Sequence, residues 1–172
     1  RPVTALEACP RSVITYRIDR KNRIIDISDT WRLFAQENGG NEKVLSPMGD
    51  SLWDHIHDRD TQDLYLLLLE AVRRSRARLS FPYRCDSPTT KRFMAMTITP
   101  GEERTVDFRS EVMGLELLPF EISYTQWSAL RIKEVHICSN CMKVKVGKTW
   151  SDVIEAFGSG ELTANRIHFR AV

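Results

Sequence analysis

Cys138-Ser-Asn-Cys141 is the one cysteine pair at chelating spacing in this 172-residue chain, which carries four cysteines in all. On either side, Val135-His136-Ile137 and Met142-Lys-Val-Lys-Val146 alternate like strands. A strand, a Cys-x-x-Cys turn and a second strand make a zinc knuckle, in which one tight turn supplies two thiolates to a tetrahedral ion. Structural zinc takes four ligands, so others are needed. His168 is the first candidate, because Arg166-Ile-His-Phe-Arg170 reads as a strand able to pair back on the knuckle. His136, Cys9 and Cys85 are the further candidates, and a second chain contributing its own Cys138 and Cys141 is another source. Free thiols or an opportunistic disulfide remain the competing reading. A thioredoxin-like redox pair places its first cysteine at a helix amino terminus, and the alternation after Cys141 opposes a helix there.

A second polar group is Arg84-Cys85-Asp86-Ser87-Pro88. Asp86 and Ser87 suit a turn, and Arg84 can pair with an acidic neighbour or reach an anionic ligand or partner. Cys85 is expected on the same face as Phe81 and Tyr83, acting as a small buried hydrophobe. His55 and His57 flank a helix start, where Asp58 and Asp60 also fall. No nucleophile and base stand at a spacing that predicts contact, so the expectation is a protein that is not an enzyme.

The elements that must position these groups follow from periodicity. Residues 13–18 set Ile14, Tyr16 and Ile18 against Val13, Thr15 and Arg17, the period of a half-buried strand. Asp19 to Asn22 is turn-like, and 23–28 is a second strand. Ser28 or Asp29 can cap a helix carrying Trp31, Leu33 and Phe34, which Asn38-Gly39-Gly40 stops. After Ser46-Pro-Met-Gly-Asp-Ser-Leu-Trp, a long helix runs from Thr61 with Leu64, Tyr65, Leu68 and Val72 on one face. Arg73, Arg74, Arg76 and Arg78 read as its solvated end. Strands are expected over 79–86, 92–99 and 105–117. In the carboxy-terminal part, Trp150, Val153, Ile154 and Phe157 predict one short helix ending at Gly158-Ser-Gly160.

The order strand, strand, helices and three strands over 13–117 resembles a PAS sensor domain. Tyr16 to Phe34 is similar to the opening of that family, and Ser46 to Asp60 to its middle, although the corner His57-Asp58-Arg59-Asp60 lacks the usual proline. The resemblance implies an α+β fold, a five-stranded antiparallel sheet with helices on one face, with 1–12 preceding it and 118–172 as a small extension. It implies a sensory module binding a small ligand or a protein partner, lined by Tyr16, Trp31, Phe34, Leu68, Tyr83, Arg84 and Cys85. It also implies a homodimer that relays the signal through the extension to a signalling protein. A ligand-free adaptor, its cavity filled by Trp31, Phe34, Trp53 and Phe93, and a thiol switch at Cys138 and Cys141 are the alternatives. Haem through His55 or His57 is disfavoured, and flavin photochemistry more so, because Ser51-Leu-Trp-Asp54 stands where light-sensing relatives carry their cysteine motif. Zinc is the candidate metal. The string 84–88 is similar to ones in small bacterial PAS-like proteins, and Ile137 to Lys145 with Trp150 resembles a cysteine-bearing tail of bacterial signalling proteins. Here the second cysteine turn of that tail is missing.

Composition bounds the rest. A formal charge of +2, from 25 basic and 23 acidic residues, is too balanced for a polyanion partner, so no nucleic acid is expected. No run approaches the roughly 18 apolar residues of a membrane span, and no secretory leader is visible, although the chain begins at Arg1 rather than Met and a leader could have preceded it. The expected location is therefore cytoplasmic. Between Pro119 and Lys133, Phe120, Ile122, Tyr124, Trp127, Leu130 and Ile132 form an apolar connector that needs burial on the sheet or against a second chain.

Overall fold

The computed structural model describes residues 12–37, 40–56, 59–87, 89–119, 133–138, 140–160 and 167–171. Their contacts divide the chain into two units, one from Arg1–Tyr83 with Arg92–Glu116 and the other from Arg84–Lys91 with Leu117–Val172. The division falls between Glu116 and Leu117, and the short segment 84–91 groups with the carboxy-terminal unit.

The first unit is α+β. Strands β1 (Val13–Ile18), β2 (Ile24–Ile27), β3 (Leu79–Arg84), β4 (Thr90–Pro100) and β5 (Val106–Leu117) form one sheet in the order β2-β1-β5-β4-β3. The sheet is antiparallel. Ile14 and Ile18 of β1, Met94, Met96 and Ile98 of β4, and Val106, Phe108, Ser110 and Val112 of β5 are buried at alternate positions, the signature of one covered face. The opposite face carries Arg17 Nε bonded to Asp107 Oδ1 at 2.6 Å. At the centre β1 pairs with β5, Val13 opposite Glu111 and Ile18 opposite Val106.

The covered face receives the helices. Helix α1 (Asp29–Glu37) is capped by Ser28, whose Oγ accepts from Trp31 N–H at 3.3 Å and Thr15 N–H at 3.0 Å. A short helix α2 (Glu42–Leu45), unforeseen in the sequence, is capped by Asn41. In the turn before the short 3₁₀ segment Leu52–Asp54, Gly49 adopts φ +87°, a backbone region that favours glycine, and donates its N–H to Ile24. Helix α3 (Arg59–Ser75) buries Leu69 and Val72 and packs Tyr65 and Leu68 on the same core as Ile18, Ile24, Leu52, Met96, Ile98, Val106 and Phe108. Spacing of three and four residues puts those side chains on one helix face.

The arginines at the end of α3 are not simply solvated. Arg73 donates to the carbonyls of Arg104 (3.1 Å) and Asp19 (2.8 Å) and to Asn22 Oδ1 (2.9 Å). Arg76 donates to the Gly101 carbonyl at 2.7 Å. Together they hold α3 to the β1–β2 turn and the β4–β5 connection.

The second unit holds a four-stranded sheet in the order β8-β7-β6-β9: β6 (Lys133–Ile137), β7 (Val144–Val146), β8 (Thr149–Ser151) and β9 (Ile167–Ala171). Helix α4 (Val153–Gly158) follows β8. Its core gathers Ile137, Val144, Val153 and Ala156. The expected strand around His168 is present as β9 and runs parallel to β6. Trp150 corrects the short-helix expectation, because it lies in β8 opposite Lys145 rather than in a helix. Asp152 starts α4 instead, its Oδ1 accepting from Ile154 N–H at 2.9 Å.

Candidate functional site

Two groups of side chains stand out, one in each unit. In the first, Tyr16 stacks on Phe108 with centroids 4.4 Å apart and planes 5° from parallel, and Trp31 meets it edge-on at 5.4 Å. Tyr65 of α3 stacks on Phe108 from 6.1 Å. Phe108, Ile18 and Ile98 are sealed, whereas Tyr16, Tyr65, Leu68 and Tyr83, packed against the same cluster, keep part of their surface accessible. The result is a closed apolar core bordered by half-buried aromatic side chains. Desolvation raises the Tyr16 hydroxyl well above the usual tyrosine range, and Tyr65 and Tyr83 push it further in the same direction. Tyr83 donates to Ser110 Oγ at 3.0 Å, and Ser110 donates on to Met96 Sδ.

Of the lining residues expected from the sequence, Tyr16, Leu68 and Tyr83 come together here. Trp31 touches Tyr16 and is tied outward, its indole N–H donating to the Val44 carbonyl at 2.8 Å. The Phe34 ring lies under the Arg92 guanidinium at 5.3 Å. Arg84 and Cys85 fall in the second unit, because β3 ends at Arg84 rather than at Asp86. Ser110 was missed in the sequence, and only its in-phase position between Phe108 and Val112 could have signalled it.

The second group is ionic. Arg84 Nε donates to Asp86 Oδ1 at 3.1 Å, with a second contact to the other carboxylate oxygen. Its guanidinium also lies 3.7 Å from Asp152, and Lys91 Nζ donates to the same carboxylate at 3.0 Å. Side-chain exposures of 12% for Arg84, 3% for Asp86 and 8% for Lys91 mean that these charges have lost most of their water and rely on one another. Asp152 is pushed up by burial, but Ile154 N–H, Lys91 and Arg84 outweigh that and hold its carboxyl below the ordinary aspartate range. The expectation that Arg84 pairs with an acidic neighbour is met twice. Lys91 and Asp152 were missed, because 61 residues separate them in sequence.

Beside this network, Arg84 N–H donates to the Asn140 carbonyl at 2.8 Å, within the Cys-x-x-Cys turn. The turn itself is fixed by Cys138 N–H donating to the Lys143 carbonyl and Met142 N–H donating to the Cys138 carbonyl, both at 2.8 Å. Met142 sits at φ +58° to bring the chain back. Cys138 and Cys141 are free thiols, and both, like Cys85, are half-buried. Burial raises the Cys138 thiol, yet the backbone N–H groups of Cys141 and Asn140 and the Cys141 side chain bring it below the usual cysteine value.

His136 stands opposite Arg170 and His168 opposite Glu134 across the β6–β9 pair. Among the described residues no three of His, Cys, Asp and Glu gather as a metal would require. His136 therefore does not join Cys138 and Cys141, and Cys9 lies outside the described residues, as do His57, Asp58 and the 120–132 connector. His55 bonds Asp50 Oδ2 at 3.1 Å. No described helix is long and apolar enough to cross a membrane.

No protein-family model matches the chain, and comparison with curated proteins finds no match.

Proposed function

We propose that the chain is a PAS-type sensory module whose first unit takes a small, largely apolar ligand or a protein partner. The observation that supports the reading is the group of half-buried side chains, Tyr16, Tyr65, Leu68 and Tyr83, packed on the buried cluster of Phe108 and Ile98. The element order and the long helix over an antiparallel sheet add support. Signal output follows from topology. Because Val13 pairs with Glu111, the chain enters and leaves this sheet on adjacent central strands, so a displacement of β1 or β5 is felt at both ends. A homodimer with the carboxy-terminal extension as relay fits that arrangement, and a ligand acts only through unequal affinity for two arrangements.

Native mass spectrometry of freshly purified protein, compared with the denatured chain, tests the reading. Retained organic mass in the folded protein, lost in Leu68→Trp, which enlarges a side chain packed on this cluster, is the expected result. An empty folded chain that also fails to enhance the fluorescence of anilinonaphthalene sulfonate sinks ligand sensing. A ligand-free adaptor then remains, favoured by the direct stacking of Tyr16 on Phe108.

A further inference from the structure

The outward face of α3 takes no part in the core beneath it. At about 3.6 residues per turn, Leu69 and Val72 are buried on one side, and Asp60, Leu64, Leu67, Ala71 and Arg74 form a stripe on the other. Leu64 is 43% exposed and Leu67 67%, Asp60 and Arg74 are exposed, and Ala71 is half-buried. We infer that this stripe is a self-complementary docking surface for a second copy of the chain, the two α3 helices crossing antiparallel at Leu67. The inference gives the homodimer a surface, and it stands whether or not the first unit takes a ligand.

Spacing and charge identify the occupant. The steps along the stripe are four, three, four and three residues, close to the repeat of about 3.5 that keeps one helix seam facing another. Exposed leucines rimmed by charge mark an interaction site. Asp60 stands seven residues before Leu67 and Arg74 seven after it, and Leu67 is the middle of the 17-residue helix. A two-fold axis at Leu67 therefore sets Asp60 of each copy against Arg74 of the other, with Leu64, Leu67 and Ala71 meeting between them. A parallel pair would set Asp60 on Asp60 and Arg74 on Arg74, so charge selects the antiparallel direction. The same symmetry brings Asp63 and Glu70 of opposite copies together along one edge, because they stand four residues before Leu67 and three after it. That repulsion makes the dimer a reversible one. So does the small area of a single helix pair beside the roughly 1,600 Å² of a standard interface.

Sedimentation equilibrium of the full, reduced chain over a range of concentrations tests the pairing. A reversible dimer is expected, weakened at least about tenfold by Leu67→Glu, which brings two carboxylates together at the centre of the contact. Asp60→Arg and Arg74→Asp should each weaken self-association. An equimolar mixture of those two variants should pair better than either alone, because the mixed pair regains both opposite-charge contacts. Glu70→Lys should tighten the dimer by removing the edge repulsion. A dimer that Leu67→Glu leaves unchanged, or a mixture no better than its components, keeps a homodimer but overturns this surface. A monomer at every concentration overturns it too, and leaves the stripe to a partner of different sequence. Should a charge variant lose its helical circular dichroism, hydroxyl-radical footprinting of the unmutated chain decides. Oxidation of Leu64 and Leu67 must fall as concentration rises, while that of Leu33 on α1, 58% exposed, stays level. Unchanged oxidation, or an equal fall at all three, refutes the pairing.

Discussion

Among the described residues, the first unit is dominated by aromatic and aliphatic packing, and the second adds a network of buried charges. Nine buried residues, Phe108 among them, form the core cluster of the one, and Ile137, Val144, Val153 and Ala156 gather in the other. Each fully buried aliphatic or aromatic side chain contributes roughly 1.5–3 kcal/mol, which makes burial the main source of cohesion around Phe108. The second unit has in addition the Arg84, Asp86, Lys91 and Asp152 network. The difference teaches where sensitivity to the medium lies: packing is indifferent to salt and pH, whereas paired charges and thiolates are not.

The largest effect should come from Phe108→Ala. Phe108 is 1% exposed and carries the rings of Tyr16 and Tyr65 on its faces, so its loss leaves a cavity that both must collapse into. A destabilisation of about 3–5 kcal/mol is expected. Hydrogen exchange followed by mass spectrometry should show β1, β4 and β5 opening while β7 and α4 keep their protection. Equal loss of protection in both units would contradict the division into separate cores.

Asp152→Asn probes the other side of the comparison. It removes the carboxylate that serves Lys91 at 3.0 Å and Arg84 at 3.7 Å, leaving Lys91 buried with its charge unmatched. Breaking a fully buried pair costs about 3–5 kcal/mol. Asp152 keeps 26% of its side-chain surface, so about 2 kcal/mol is expected after solvent screening. Exchange should rise in β7 and α4 first. Lys91→Met should cost less, because Asp152 then still has Arg84.

What could be read in advance tracks the same divide. The alternation in 13–18 and 105–117 and the helical face of Tyr65, Leu68 and Val72 announced the first unit, because a core built from nonpolar side chains leaves its period in the sequence. The turn at Cys138 was legible from its flanking strands. The ionic network was not: a lysine and an aspartate 61 residues apart carry no periodic signal, and Lys91 lay just ahead of the strand expected over 92–99. Trp150 fitted a helical spacing with Val153 and Ile154, but Thr149 and the indole of Trp150 itself favour a strand, and pairing with β7 decided the matter. Arg73 read as a solvated cation because sequence cannot show the carbonyls waiting for it.

Ser28→Ala should have a smaller effect, about 1 kcal/mol. Its Oγ satisfies Trp31 N–H at the start of α1 and Thr15 N–H on β1, so the substitution frays the helix where it meets Tyr16. Because Trp31 is the edge-on partner of Tyr16, tryptophan emission should shift to the red without loss of the cooperative transition. An unchanged spectrum would mean that the Val44 carbonyl alone places the indole.

The smallest effect is one of pH, and it separates the units by sign. Asp152 has its folded pKa lowered despite burial, by Ile154 N–H and Lys91. The unfolded carboxyl therefore takes up its proton first as pH falls, and the stabilisation, complete above about pH 4, disappears as pH drops through the folded value. Tyr16 is the reverse. Desolvation raises its folded pKa, so the unfolded chain ionises first, and stability is intact below about pH 10 and declines as pH rises past it. Acid should thus loosen β7 and α4 first, and alkali the sheet around β1. In Asp152→Asn the acid limb should flatten while the alkaline limb is kept. Tyrosine absorbance should show one phenol ionising only together with loss of protection in β1, and its free titration in the folded chain would show that Tyr16 is open to water.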